Sequence, residues 1–132
     1  IELAFRALDA CFGVVRRSGL HQFPAWPDPA DPPFVNAAAI LRPGPGPTEV
    51  LAGLHAVEAA FGRRRERRNA PRTLDLDLLA YGPILQAGPP VLPHPGLEVR
   101  DFVLTPLAEI APEFRSPRSG RMVKEMLAQV TA

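Results

Sequence analysis

Apolar positions recur at helical spacing in several stretches of the chain. Over residues 1–12, Ala4, Ala7, Leu8 and Cys11 share one face while Glu2, Arg6 and Asp9 lie opposite. This predicts an amphipathic helix that Gly13 ends. Thr48 is placed to cap a second helix running to about Phe61, with Val50, Leu54, Val57 and Phe61 inward and Gly62 as its stop. Residues 120–130 carry Val123, Met126, Leu127 and Val130 as the apolar stripe of a terminal helix. Thr105 and Pro106 read as the cap and first-turn proline of a shorter helix that Pro112 closes. Between these, Val14 to Phe23 is a weak strand pattern and Phe34 to Leu41 an apolar strand interrupted by Asn36. The prolines of residues 24–33 exclude regular structure there, and Trp26 is expected to bury area within that loop.

The sharpest alternation is Thr-Leu-Asp-Leu-Asp-Leu-Leu from Thr73 to Leu79, within a strand expected over Thr73 to Tyr81. Side chains on a strand point to opposite faces with a period of two, so Leu74, Leu76 and Leu78 face a core and Asp75 and Asp77 share the other side. At ~3.3–3.4 Å rise per residue the two aspartates lie roughly 7 Å apart at Cα. Aspartate is a poor strand former. The pair is either a solvated face or a set of oxygen ligands for a hard cation, Mg²⁺ above all. The preceding segment holds Arg63, Arg64, Arg65, Arg67, Arg68 and Arg72, six arginines within residues 63–72. Arginine presents a planar donor fork that matches phosphate oxygens two at a time. Two carboxylates fed by such a segment suit a metal-bound polyphosphate, although the run alone could be a solvated basic face or a nucleic-acid patch.

Composition narrows these choices. With 132 residues, 46% apolar and 22% charged, the chain is expected to form one domain over residues 1–132 with a sizeable core. The net charge is only +1, so basicity is local and gives no general field for nucleic acid. Lys124 is the sole lysine among 15 basic residues, and the single Cys11 excludes an internal disulfide and reads as a buried thiol. No apolar run approaches the ~20 residues of a membrane span, and no signal-peptide pattern is present; a cytoplasmic protein without membrane contact is expected. Irregular alternation of strands and helices, with loops suited to antiparallel pairing, gives an α+β class.

The stretch Arg-Asn-Ala-Pro-Arg-Thr-Leu-Asp-Leu-Asp-Leu-Leu, residues 68 to 79, closely resembles the signature of the 6-hydroxymethyl-7,8-dihydropterin pyrophosphokinase family of folate biosynthesis. The resemblance continues in order and spacing through Phe34-Val35-Asn36-Ala37-Ala38, Leu92-Pro93-His94-Pro95, Arg100-Asp101-Phe102-Val103-Leu104 and Pro106 to Pro112. It implies a ferredoxin-like, three-layer α/β/α arrangement around a mainly antiparallel sheet. It also implies an ATP-dependent enzyme that moves pyrophosphate from ATP to the hydroxymethyl oxygen of the dihydropterin and releases AMP.

The site residues follow from the same resemblance. Asp75 and Asp77 would hold two Mg²⁺ ions. Arg63, Arg72, His94 and Arg100 would bind phosphate oxygens, with Glu58 and Arg65 near the nucleotide. Phe34 and Phe102 would stack on the pterin, and Asn36 would read its edge, a role its carboxamide suits because it offers both a donor and an acceptor. His55 stands where the family often has glutamine, and a surface histidine is expected. Asn69 replaces a tryptophan that some members carry, so a possible stacking surface is missing. The family also has a strand and a Gly-Ser-Asn turn ahead of the first helix, and the sequence here opens directly on that helix. The expected partners are ATP and the pterin, without nucleic acid, in a monomer or weak homodimer. The competing readings are a catalytically inactive homologue and a small ferredoxin-like RNA-binding module. The latter wants aromatics interleaved with its basic residues, and the arginine segment has none.

Overall fold

Helices form where the apolar spacing is cleanest and where a buried face is available to reward it. In a computed structural model the protein is described over residues 1–62 and 74–131. The order is α1 (Glu2–Phe12), β1 (Val14–Arg17), β2 (His21–Phe23), β3 (Phe34–Asn36), β4 (Ala39–Leu41), α2 (Pro47–Gly62), α3 (Asp101–Ile110) and α4 (Val123–Thr131). β1 pairs with β4, and β2 pairs antiparallel with β3. The class is α+β, with four helices among the described residues. No helix among them is long and apolar enough to cross a membrane.

The chain divides into two compact units, Ile1–Val14 with Leu41–His94, and Val15–Ile40 with Pro95–Ala132. In the first, α1 packs on α2. Leu8, Val50 and Leu54 are buried together, and Phe12, Val14, Leu41, Leu76, Leu78 and Tyr81 pack around them. Gly13 ends α1 at φ 79°, a conformation that L side chains rarely adopt, and an added Cβ would run into the Arg42 side chain. The Tyr81 hydroxyl donates to the Pro45 carbonyl.

In the second unit α3 packs against β2, β3 and α4. Leu97, Leu104, Val123 and Met126 are almost completely buried. Arg16 donates to the Ile110 carbonyl at the end of α3. At the other strand, Glu109 accepts from the Gly19 amide and lies 2.8 Å from His21 Nε2.

Several local expectations are corrected. Val14 to Phe23 is two strands, not one, because the chain turns at Ser18, whose hydroxyl accepts from the Ala38 amide. Phe34 to Leu41 likewise divides at residues 37–38 into β3 and β4, which pair with different partners. The third helix starts at Asp101 rather than at Thr105. The Arg100 carbonyl accepts from both the Val103 and Leu104 amides, so Pro106 lies inside the helix. Cys11 is exposed, since α1 turns Ala4, Phe5 and Leu8 inward. Trp26 is 82% exposed and buries little of its ring.

Two carboxylates in the second unit are held below their ordinary range. The Ser116 hydroxyl lowers Glu98, with Arg121 adding to the effect, and His21 followed by the Gly19 amide lowers Glu109. A carboxylate with a depressed folded value contributes stability above its unfolded value, and that contribution is lost as pH falls through the folded one. Thermal midpoints are therefore expected to fall from about pH 5 towards pH 3. Glu98→Gln should flatten part of that slope. Parallel slopes in parent and variant would contradict the assignment.

Candidate functional site

The aspartate segment is positioned by its leucines and by two hydrogen bonds. Leu76 and Leu78 pack onto the core of the first unit while Asp75 and Asp77 are exposed, so the period-two alternation is present over Leu74 to Leu78. Residues 74–80 belong to no named strand, which differs from the strand expected there. The Glu58 carboxylate, projecting from α2, accepts from the Leu76 amide at 2.6 Å. The Leu79 carbonyl accepts from the His94 amide at 2.8 Å. This second bond brings the His-Pro segment alongside the aspartates, with His94 Nε2 3.9 Å from Asp77 Oδ1. The Asp77 side chain is 56% exposed. Glu58, expected near the nucleotide, fixes the backbone between the two aspartates.

The second unit gathers the residues expected to meet the heterocycle. β2 and β3 pair in the register His21↔Asn36, Gln22↔Val35 and Phe23↔Phe34. Side chains two apart on a strand and those directly opposite share a face, so Phe34, Asn36, Phe23 and His21 lie on one side of the pair. On α3, Phe102, Thr105 and Glu109 recur at helical spacing, and the Phe102 ring meets Phe23 edge to face at 6.4 Å. Phe34 is 53% exposed and Phe102 36% exposed, which leaves aromatic surface open. The Arg100 guanidinium carbon stands 5.8 Å from the centre of the Phe102 ring. Asn36 Oδ1 is buried and has no hydrogen-bond partner among the described residues. A buried acceptor without a donor costs about 1–3 kcal/mol, so this oxygen fits a ligand that brings an N–H group.

Comparison with known proteins identifies the family. The family model described as 7,8-dihydro-6-hydroxymethylpterin-pyrophosphokinase matches residues 1–112. A 2-amino-4-hydroxy-6-hydroxymethyldihydropteridine pyrophosphokinase of Synechocystis sp. is 42% identical over 129 residues, 97% of this chain and 66% of that protein. Proteins of the same name from Pseudomonas aeruginosa and Methylorubrum extorquens are 46% identical over 102 residues and 42% identical over 118. Those two matches cover 76% and 89% of this chain, and 62% and 73% of the relatives. The chain belongs to the 7,8-dihydro-6-hydroxymethylpterin-pyrophosphokinase family. It spans about two thirds of the length of these curated relatives.

Within this family member, the structure brings Asp75, Asp77, Glu58 and His94 together in one unit and Phe34, Asn36, Arg100 and Phe102 in the other. Arg63, Arg65 and Arg72 lie outside the described residues. Phe23 is the residue that sequence reasoning missed. Its signal is the cross-strand register with Phe34, which the weak periodicity of residues 14–23 does not carry.

The donor chemistry of the aspartate pair fits Mg²⁺. No group of three or more His, Cys, Asp or Glu forms a metal cage among the described residues. Mg²⁺ does not require one, because it keeps several waters and commonly takes one or two carboxylates plus substrate phosphates. Two exposed carboxylates on one side of an anchored segment meet that need.

Proposed function

We propose that this protein transfers pyrophosphate from ATP to the hydroxymethyl oxygen of 6-hydroxymethyl-7,8-dihydropterin in folate biosynthesis. The observation that carries the reading is the exposed Asp75–Asp77 pair beside His94, in a chain of this family. We also read residues 1–132 as one pyrophosphokinase domain of ferredoxin-like, three-layer α/β/α type. The family match over residues 1–112, which takes in residues of both compact units, supports this.

In the proposed reaction the hydroxymethyl oxygen attacks the β-phosphorus of ATP. The bond from that phosphorus to the α,β-bridging oxygen breaks, AMP departs with the electron pair, and the hydroxyl proton goes to solvent. No protein nucleophile is needed, so the chain's work is positioning and charge complementarity. Asp75 and Asp77 would hold two Mg²⁺, which when bound neutralise charge on the phosphate oxygens. Glu58 keeps the aspartate backbone in place. Arg63, Arg65, Arg72, His94 and Arg100 would contact the phosphates. Asn36 would accept an N–H from the pterin edge, and the Phe34 and Phe102 rings would cover its faces.

Incubation with ATP, Mg²⁺ and the hydroxymethyl dihydropterin should yield AMP, and only when the pterin is present. ATP consumption that ignores the pterin, or none at all under saturating conditions, would contradict the proposal.

A further inference from the structure

Arg100 occupies the position just before α3, and its carbonyl starts that helix. Nothing in an extended N-cap residue fixes where a long guanidinium side chain points. Arginine has many rotamers to lose when it is held in one place, so a phosphate contact made by it depends on what holds the side chain beforehand. Two features of the preceding turn provide that support.

The first is Gly96. A Cβ built on this glycine would stand 2.5 Å from Arg100 Nε, 2.7 Å from Cζ and 2.8 Å from Cδ. These are its three nearest atoms, so the Arg100 side chain lies folded back across the bare α-carbon. On its way it also meets the Phe102 ring. The second is Glu98. Its carboxylate accepts from the hydroxyl of Ser116, which is 1% exposed, and from Arg121 Nη2 at 3.2 Å. Ser116 and Arg121 are themselves tied by a backbone bond from the Ser116 amide to the Arg121 carbonyl at 2.9 Å. Next to Glu98, Leu97 is completely buried. The turn that carries Arg100 is therefore fastened to the 115–122 hairpin, which lies beyond the residues the family model matches.

We propose that Gly96 and Glu98 are positioning residues that aim the Arg100 guanidinium, Glu98 by fixing the turn and Gly96 by leaving the space in which the side chain lies. The proposal rests on the reading of Arg100 as a phosphate contact. It makes a distinctive prediction for Gly96→Ala. Arg100 is flexible at its far end and can swing away from the added methyl, so the fold should be spared while the aim is lost.

Steady-state kinetics with ATP, Mg²⁺ and the hydroxymethyl dihydropterin test this on Gly96→Ala, Glu98→Ala, Arg100→Ala and the two double variants containing Arg100→Ala. Arg100→Ala should lower kcat/KM for ATP by ~10- to 100-fold, the scale of a charge-assisted contact or a displaced group. Gly96→Ala and Glu98→Ala should each lower it by about tenfold. In the Arg100→Ala background neither should add a further loss, because the group they aim is gone. The Gly96→Ala melting midpoint should match the parent's, which keeps the test sound if Glu98→Ala folds poorly. Losses that multiply with that of Arg100→Ala, or parental kinetics in Gly96→Ala, would overturn the positioning role. Parental kinetics in Arg100→Ala itself would instead overturn the phosphate reading, and the positioning role with it.

Discussion

Asp77→Asn is expected to lower turnover by ~10²-fold or more, the range set by several kcal/mol of charge stabilisation from bound metal. The substitution keeps size and shape and removes one ligand charge. Asp77 is 56% exposed and its neighbour His94 stands 3.9 Å away, so no buried partner is orphaned and the melting midpoint should hardly move. Leu76 and Leu78 continue to seat the segment, and Glu58 still accepts from the Leu76 amide. Affinity for ATP should fall less than turnover, because the arginines expected at the phosphates are untouched. Turnover measured under saturating Mg²⁺, beside an ATP titration, separates the two. A variant that runs at the parental rate would remove the aspartates from metal binding.

The second large effect is expected at Asn36. Its Oδ1 is buried without a partner among the described residues, and a pterin edge brings N–H groups that would satisfy it. Asn36→Ala should weaken pterin binding by roughly 1–3 kcal/mol, since polar groups of the heterocycle would then go unpaired. Phe102→Ala should cost on the order of 0.5–1.5 kcal/mol of stacking beyond plain burial. It also removes the edge contact to Phe23, so its melting midpoint must be followed in parallel. Both variants should bind ATP nearly as the parent does. Calorimetric titration with pterin in the presence of a non-hydrolysable ATP analogue reads these changes directly. Parental pterin affinity in both would place the pocket elsewhere.

The parts of the fold that were legible in the sequence are those decided by local periodicity. α2 and α4 follow apolar spacing that is itself the packing face, α1 does so at Ala4 and Leu8 but not at Cys11, and the ends of all three fall within a few residues of the expected ones. The inward Leu76 and Leu78 and the outward Asp75 and Asp77 were legible for the same reason. What was not legible depends on partners distant in sequence. Whether residues 14–23 and 34–41 form one strand or two is set by which strand each segment pairs with, as the Ser18–Ala38 bond illustrates. Thr105-Pro106 resembles a helix start locally, but the Arg100 carbonyl and the burial of Val103 and Leu104 begin the helix a turn earlier. At the candidate site, the residue types stand in the sequence, but the contacts that support them do not. Phe23 opposite Phe34, Glu58 on the Leu76 amide and Glu98 on Ser116 are long-range contacts without a local pattern.

The phosphorus spectrum of a completed reaction with ATP, Mg²⁺ and 6-hydroxymethyl-7,8-dihydropterin tests the central reading most directly. Transfer of the β,γ-pyrophosphate as one unit predicts AMP as the only nucleotide product, with an equal amount of a pterin ester whose two phosphorus signals are coupled. ADP with a pterin monophosphate would contradict it, as would ATP left intact by the folded protein.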